Sequence, residues 1–492
     1  MYYKEKKSNL MKLKLPLRII FLLLSIVLLS HCSSKTENIP VDIEVNDFVW
    51  KGLNAYYLWQ SSKPDLADTR FNSQTALNNY LSGFTTPESL FESLLLQPMD
   101  RFSVIYDDYI ALENAFQGIT LNNGMEFGLV CYKTTTSNVF GYVRYVIPGS
   151  DAAINGVTRG MIFNQIDGTQ ITDTNYSSLL SSNSYSIGLA NYNDGDPVAT
   201  STSILLNKSQ LEENPVKIVK ILDEGIGNKI GYLMYNQFSS SFDDELNAAF
   251  LTFKNENITD LILDLRYNGG GSVRTATYLG AMITGQFNGA IFSKQVWNEK
   301  VMAAIPEEDF INRFTNQITN GNVTENINSL NLSRVYCIVS GSTASASELV
   351  INSLRSYIDV FLVGTETVGK QVGSITLYDS DNLQKNGTNF NTNHNYALQP
   401  IVLEIANKDN QNEINGFVPG TTLPGVELGE DCGNLGVLGE RSDPLLDRTI
   451  TYMLTGGRAT ETTSKGIISE EIYNSKLASP TSNNMYVAVP QN

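Results

Sequence analysis

The chain has 492 residues and carries 34 basic against 51 acidic side chains, a net charge of −17. That length exceeds one ordinary domain, and that charge repels a phosphate backbone, so nucleic acid is not an expected partner. Four cysteines at 32, 131, 337 and 432 are too few and too scattered for a disulfide framework or a zinc site, and with only His31 and His394 no metal centre is expected.

Lys4 to Arg18 form a basic region, Ile19 to Leu29 a short apolar run, and Cys32 follows. A spanning helix needs about 20 apolar residues, so residues 1–31 read as a signal peptide. Leu29-Ser30-His31-Cys32 resembles the lipobox of bacterial lipoproteins, although His31 replaces the small residue normally found there. The resemblance implies lipidation of Cys32, a polar tether over 32–40, and a place in the cell envelope of a Gram-negative bacterium, membrane-anchored on the periplasmic face or cell surface. Loss of the leader removes six basic residues and one acidic, which takes the charge to −22.

Over 41–108 apolar residues recur at helical spacing, as in Phe48, Leu53, Tyr56, Tyr57 and again Leu90, Phe91, Leu94, Leu95, which predicts a small helical domain. Over 109–210 short strands and turns take over: Phe127 to Val130 as a strand, Tyr142 to Ile147 alternating before Pro148-Gly149, then Ile162 to Ile166 before Asp167-Gly168. The run VIPGSDAAINGVTRGMIFNQIDG resembles the PDZ domain of processing proteases, with Met161 where that family usually has Asp. That resemblance implies a groove in which Gly124, Met125, Glu126, Phe127 and Gly128 hold the C-terminus of a substrate by strand addition. Over 211–456 strands and helices alternate, which predicts an α/β domain with a mixed sheet and flanking helices. The Ser, Thr and Asn-rich stretch 457–492 reads as a loosely ordered tail, and His394, in the Asn-rich loop 386–395, as solvated.

Three loops leave strand ends, where ligands of α/β sheets bind. DLRYNGGGS, Asp264 to Ser272, holds three consecutive glycines that let backbone N–H groups approach an anion; no Walker Lys follows, so neither nucleotide nor any other cofactor is expected. VSGSTASASELVINSL, Val339 to Leu354, places five hydroxyls within eight residues and then turns helical. Ser345-Ala346-Ser347-Glu348 fits a capping box, in which the Ser345 hydroxyl accepts from a backbone N–H; the same helix start suits a nucleophile. GTETVGK, Gly364 to Lys370, brings a lysine, and a serine activated by a neutral lysine needs no histidine.

These loops, in this order after a PDZ-like segment, resemble the C-terminal processing (tail-specific) peptidases, a family of Ser-Lys serine proteases, over roughly residues 40 to 456. The resemblance implies Ser345 as nucleophile and Lys370 as base, 25 residues apart, with an oxyanion hole from backbone N–H groups of Gly270, or Gly269 beside it, and Ala346. Thr343 replaces the first Ser of the family's S-A-S-A-S-E, Ser374 stands where many relatives have Gln, and Arg355-Ser356-Tyr357 where some have an acid. The expected partners are proteins or peptides with free C-termini, cut near those ends through an acyl-enzyme. Two alternatives stay open: a non-catalytic peptide-binding lipoprotein on the same fold, and an esterase-type hydrolase, against which the absence of G-x-S-x-G around Ser345 counts.

Overall fold

The computed structural model describes residues 39–225, 229–320, 323–456 and 471–487; the leader, Cys32 and most of the tether lie outside them. Helix α1 (Glu44–Tyr56) buries Phe48, Val49 and Leu53 on one face, and α2 (Gln74–Leu81) and α3 (Pro87–Leu94) turn Leu77, Leu81, Leu90, Phe91 and Leu94 toward it. Side-chain caps start both later helices: Ser73 accepts from Ala76 N–H, and Thr86 from Ser89 N–H. This helical unit does not stand apart, because its core is continuous with that of the region beyond residue 229. After α3 the chain crosses onto that region, and Val104–Tyr106 pairs antiparallel with Ala397–Gln399.

After α4 (Tyr109–Phe116) comes a β-rich unit. Its strands β1 (Met125–Cys131), β2 (Val139–Val146), β3 (Ile162–Ile166), β4 (Ser184–Asn191) and β5 (Val198–Asn207) pair antiparallel in chain order. Tyr142 to Ile147 lies in and just beyond β2, but its alternation does not mark one wet face: β2 is buried nearly throughout. Val143 points into the unit's own core with Phe127 and Phe163, whereas Tyr145 packs on Tyr232 and Ile262 of the next domain.

The third unit carries β6 (Val216–Asp223), β7 (Lys229–Tyr235), α5 (Asp243–Asn255), β8 (Asp260–Asp264), α6 (Val273–Thr284), β9 (Arg334–Val339), α7 (Ala346–Leu354), β10 (Asp359–Gly364), β11 (Val372–Ser374), β12 (Ile401–Ala406), β13 (Gly425–Glu427) and α8 (Pro444–Thr455). The main sheet runs β6-β7-β8-β9-β10-β13; only β6 is antiparallel to its neighbour. β8 is buried along its whole length, as a parallel strand covered on both faces must be. Because β8, β9 and β10 are adjacent and parallel, their C-terminal ends lie side by side, and the loops carrying Gly269–Gly271, Ser345 and Lys370 leave from one edge.

The tail departs from expectation. Residues 471–487 are folded: β14 (Glu471–Asn474) adds to the β-rich sheet beside β1, and β15 (Met485–Tyr486) runs parallel to Gly271–Ser272 and to β11. Composition misled there because backbone pairing and one apolar anchor, the fully buried Met485, hold a segment that is polar elsewhere.

Arg266, in the glycine-loop motif, is buried among carboxylates of Asp264 (2.7 Å), Glu430 (3.1 Å) and Asp443 (3.2 Å), tying β8 to the segment before α8. Arg266→Met is expected to destabilise the protein by about 3–5 kcal/mol, because it strands buried acids without their cation; denaturant melts compared with wild type check this.

Candidate active site

Ser345 sits at the mouth of α7 with φ 65° and ψ −116°, a conformation that costs a non-glycine residue roughly 1–3 kcal/mol. The side chain is fully buried and its Oγ has no hydrogen-bond partner. The capping reading is therefore only half met: Glu348 does reach back to Ser345 N–H (2.8 Å), but the hydroxyl accepts nothing. The backbone at Ser345 has a positive φ rather than the extended conformation of an ordinary N-cap.

Glu348 is the joint of the site. Its Oε2 accepts both Ser345 N–H at 2.8 Å and Lys370 N–H at 2.9 Å, which holds the two backbones within two hydrogen-bond lengths. Its Oε1 accepts Gly369 N–H at 2.7 Å and the Thr367 hydroxyl. Burial raises the Glu348 pKa above the ordinary carboxylate value, and these donors work against that rise.

Lys370 is buried, and desolvation of its ammonium brings the pKa down to about 7, against the opposing pull of Asp100 and Glu348. Its Nζ lies 4.6 Å from the centre of the Phe102 ring and donates to the carbonyl of Asn483 at 2.6 Å; no hydrogen bond joins it to Ser345 Oγ. Asp100 and Phe102 come from the helical unit, and Asp100 is itself held by Phe102 N–H, Ser103 N–H and the Ser103 hydroxyl. No local pattern in the sequence points to either residue.

The glycine loop closes the other side. A methyl group built on Gly270, where φ is +108°, would lie 2.6 Å from Ser345 Cβ, 2.9 Å from Ala346 N and 2.9 Å from the carbonyl oxygen of Asn484. Gly270 therefore has to be glycine for this loop to touch the start of α7. Its own N–H donates to Asn268 Oδ1 at 2.9 Å, so in this conformation it is not directed at an oxyanion position. Gly269 faces Asn483, whose Oδ1 would be 3.0 Å from a methyl built there.

Of the predicted peptide-binding residues, Met125, Glu126 and Phe127 at the start of β1 line the same cavity of about 540 Å³ as Gly269, Gly270 and Ser342, whereas Gly124 and Gly128 do not line it. The N–H groups of Gly124 and Met125 are taken by Asn122 Oδ1 (2.7 Å) and Asn123 Oδ1 (3.1 Å); Phe127 N–H instead reaches Ser475 Oγ at 2.9 Å. Glu126 is buried and accepts from Ser475 Oγ at 2.7 Å, and burial raises its pKa. Gly128 pairs with Asn474 on the same edge.

His394, expected in solvent, is mostly buried: its Nε2 lies 3.1 Å from Asp379 Oδ2, its ring stacks on Phe48, and Tyr396 N–H donates to Nδ1. The Asn-rich loop carries it onto the helical unit, where none of its partners belongs to the dyad. Ser374 bonds Gln399 (3.0 Å) and Asn484 (2.8 Å), and Arg355 pairs with Glu413 (2.7 Å), so neither supports Lys370 directly.

A family model described as peptidase family S41 matches residues 229–400, and one described as the peptidase S41 N-terminal domain matches 44–104. The carboxy-terminal-processing protease of Bartonella bacilliformis is 24% identical over 300 residues, 55% of this chain and 62% of the relative. The carboxyl-terminal-processing protease of Synechocystis sp. is 25% identical over 165 residues, 34% of each. The chain thus spans less than two thirds of these relatives. A solved structure from Bacteroides fragilis, provisionally described as an S41 protease, shares the fold with a TM-score of 0.62 at 23% identity, over 86% of this chain and 99% of that one. Residues 44–104 and 229–400 thus match peptidase family S41, and the chain shares its fold with a solved structure of that description.

Proposed function

We propose that this protein is a serine endopeptidase in which Lys370 takes the proton from Ser345 Oγ as the serine attacks a substrate carbonyl, the C–N bond breaks and the amine leaves with the proton returned by Lys370, and water then hydrolyses the acyl-enzyme to the carboxylic acid and free serine. The observation that carries the reading is the pairing, through one Glu348 oxygen, of a buried serine whose hydroxyl is unpartnered with a buried lysine whose pKa lies near 7. A neutral amine can accept the proton, and the backbone N–H of Ala346, at the start of α7, faces the developing oxyanion with the glycine loop opposite. Substrates add as a strand to β1, along the edge that β14 takes in this structure, with their C-termini toward Glu126 and Phe127.

The reading is tested by digestion of an unfolded protein and of model peptides ending in a free acid or an amide. Cutting is expected, with the amide slower. Absence of any cleavage by both the folded protein and its Glu471→Arg variant sinks the peptidase reading, and equal rates for acid and amide sink recognition of the terminus.

A further inference from the structure

The edge of β1 already has an occupant. β14 pairs antiparallel with it in the register Glu471 to Val130, Tyr473 to Leu129 and Asn474 to Gly128. The Glu471 carboxylate receives Arg144 Nη2 at 2.7 Å and 2.5 Å and the Tyr142 hydroxyl at 2.7 Å. The Arg144 guanidinium is itself buried, and it also donates to Ser342 Oγ, at 2.9 Å, in the loop that leads to Ser345. The Tyr473 ring packs against Tyr176 and Phe127, with centroids 5.2 Å and 6.4 Å away. Where a bound strand would end, Ser475 closes on Phe127 N–H and Glu126.

The same segment then reaches the dyad. Asn483 carbonyl engages Lys370 Nζ, Asn484 carbonyl lies against Gly270 beside Ser345 and Ala346, and β15 pairs with Gly271–Ser272. One stretch of chain thus satisfies the edge of β1, the buried Arg144 and the base at once, and these are the groups a substrate would need.

We infer that Glu471–Tyr486 is an intramolecular ligand that holds the enzyme latent, and that the groove it fills selects peptide segments with an acidic residue two positions before an aromatic one. Arg144 and Tyr142 read the acid; Tyr176 and Phe127 read the ring. This rests on the peptidase reading for latency, but the selectivity of the groove stands apart from it. Displacement needs a substrate strand that supplies the same acid, because an uncompensated buried guanidinium is costly.

The test uses the full chain with Glu471→Arg, which sets like charges together and leaves every group of the groove and dyad in place. Compared with wild type, this variant is expected to cut an unfolded protein about tenfold faster, since the tail no longer occupies the competent state. A fluorescent peptide copying residues 471–487 should bind the full-length Glu471→Arg, Ser345→Ala double variant at least about tenfold more tightly than it binds full-length Ser345→Ala, and lose that advantage when its Glu is replaced by Gln. Slower or unchanged cutting by Glu471→Arg means that the tail completes the site rather than blocking it, and overturns latency. Peptide binding indifferent to the Glu overturns the selectivity. If neither chain cuts anything while the peptide still binds the double variant in a Glu-dependent way, the groove assignment holds and the peptidase reading is what fails.

Discussion

Ser345→Ala is expected to lower peptide hydrolysis by at least about three orders of magnitude while leaving the fold intact, because a serine peptidase without its nucleophile keeps only the contributions of binding and the oxyanion site. The stability arm separates catalysis from capping. An N-cap serine that accepts from a helix N–H costs about 1 kcal/mol when changed to Ala. Here Oγ accepts nothing, so the substitution removes no bond, and its melting temperature should match or slightly exceed that of wild type. A clear loss of stability with activity retained would return Ser345 to the role of a cap. Retained ester hydrolysis without peptide cleavage in the wild type would favour the esterase alternative.

Lys370→Ala and Lys370→Arg are both expected to abolish activity by a similar large factor. Alanine has no base, and arginine stays protonated at any working pH, so keeping the charge does not rescue the chemistry. The sign of the pH dependence follows from the burial of this amine. Its pKa is depressed to about 7, so the fraction that can accept a proton grows as pH rises through that value and is lost as pH falls below it. Below pH 7 the rate should fall roughly tenfold per pH unit, and above it approach a plateau. His394→Gln should leave that profile in place, since the imidazole is engaged by Asp379 and stacks on Phe48 of the helical unit. A profile that follows His394, or an active Lys370→Arg, would remove the dyad from consideration.

Much of the frame was legible before any coordinates. The alternation of apolar strands with amphipathic helices from 229 to 364 places β7 to β10 and α5 to α7 within a few residues of where they lie, because hydrophobic period and helix-start chemistry are local properties. The three loops could be recognised as neighbours, since a parallel sheet aligns the ends of consecutive strands. Glu348 was also visible, but only as the far half of a capping box. That it carries Lys370 as well as Ser345 depends on a loop folding back across 22 residues, which no local pattern encodes. Tertiary structure alone decided the remaining features: the positive φ of Ser345 and its unpartnered hydroxyl, the arrival of Asp100 and Phe102 beside the lysine, and the seating of His394 on Phe48. The tail is the sharpest case. Glu471 to Asn474 is too short to show a period and lies in a polar stretch that composition assigns to disorder. It becomes a strand because β1 offers an unpaired edge and Arg144 a buried charge, partners more than 300 residues away in the chain, and cooperation of that kind exists only once the rest has folded.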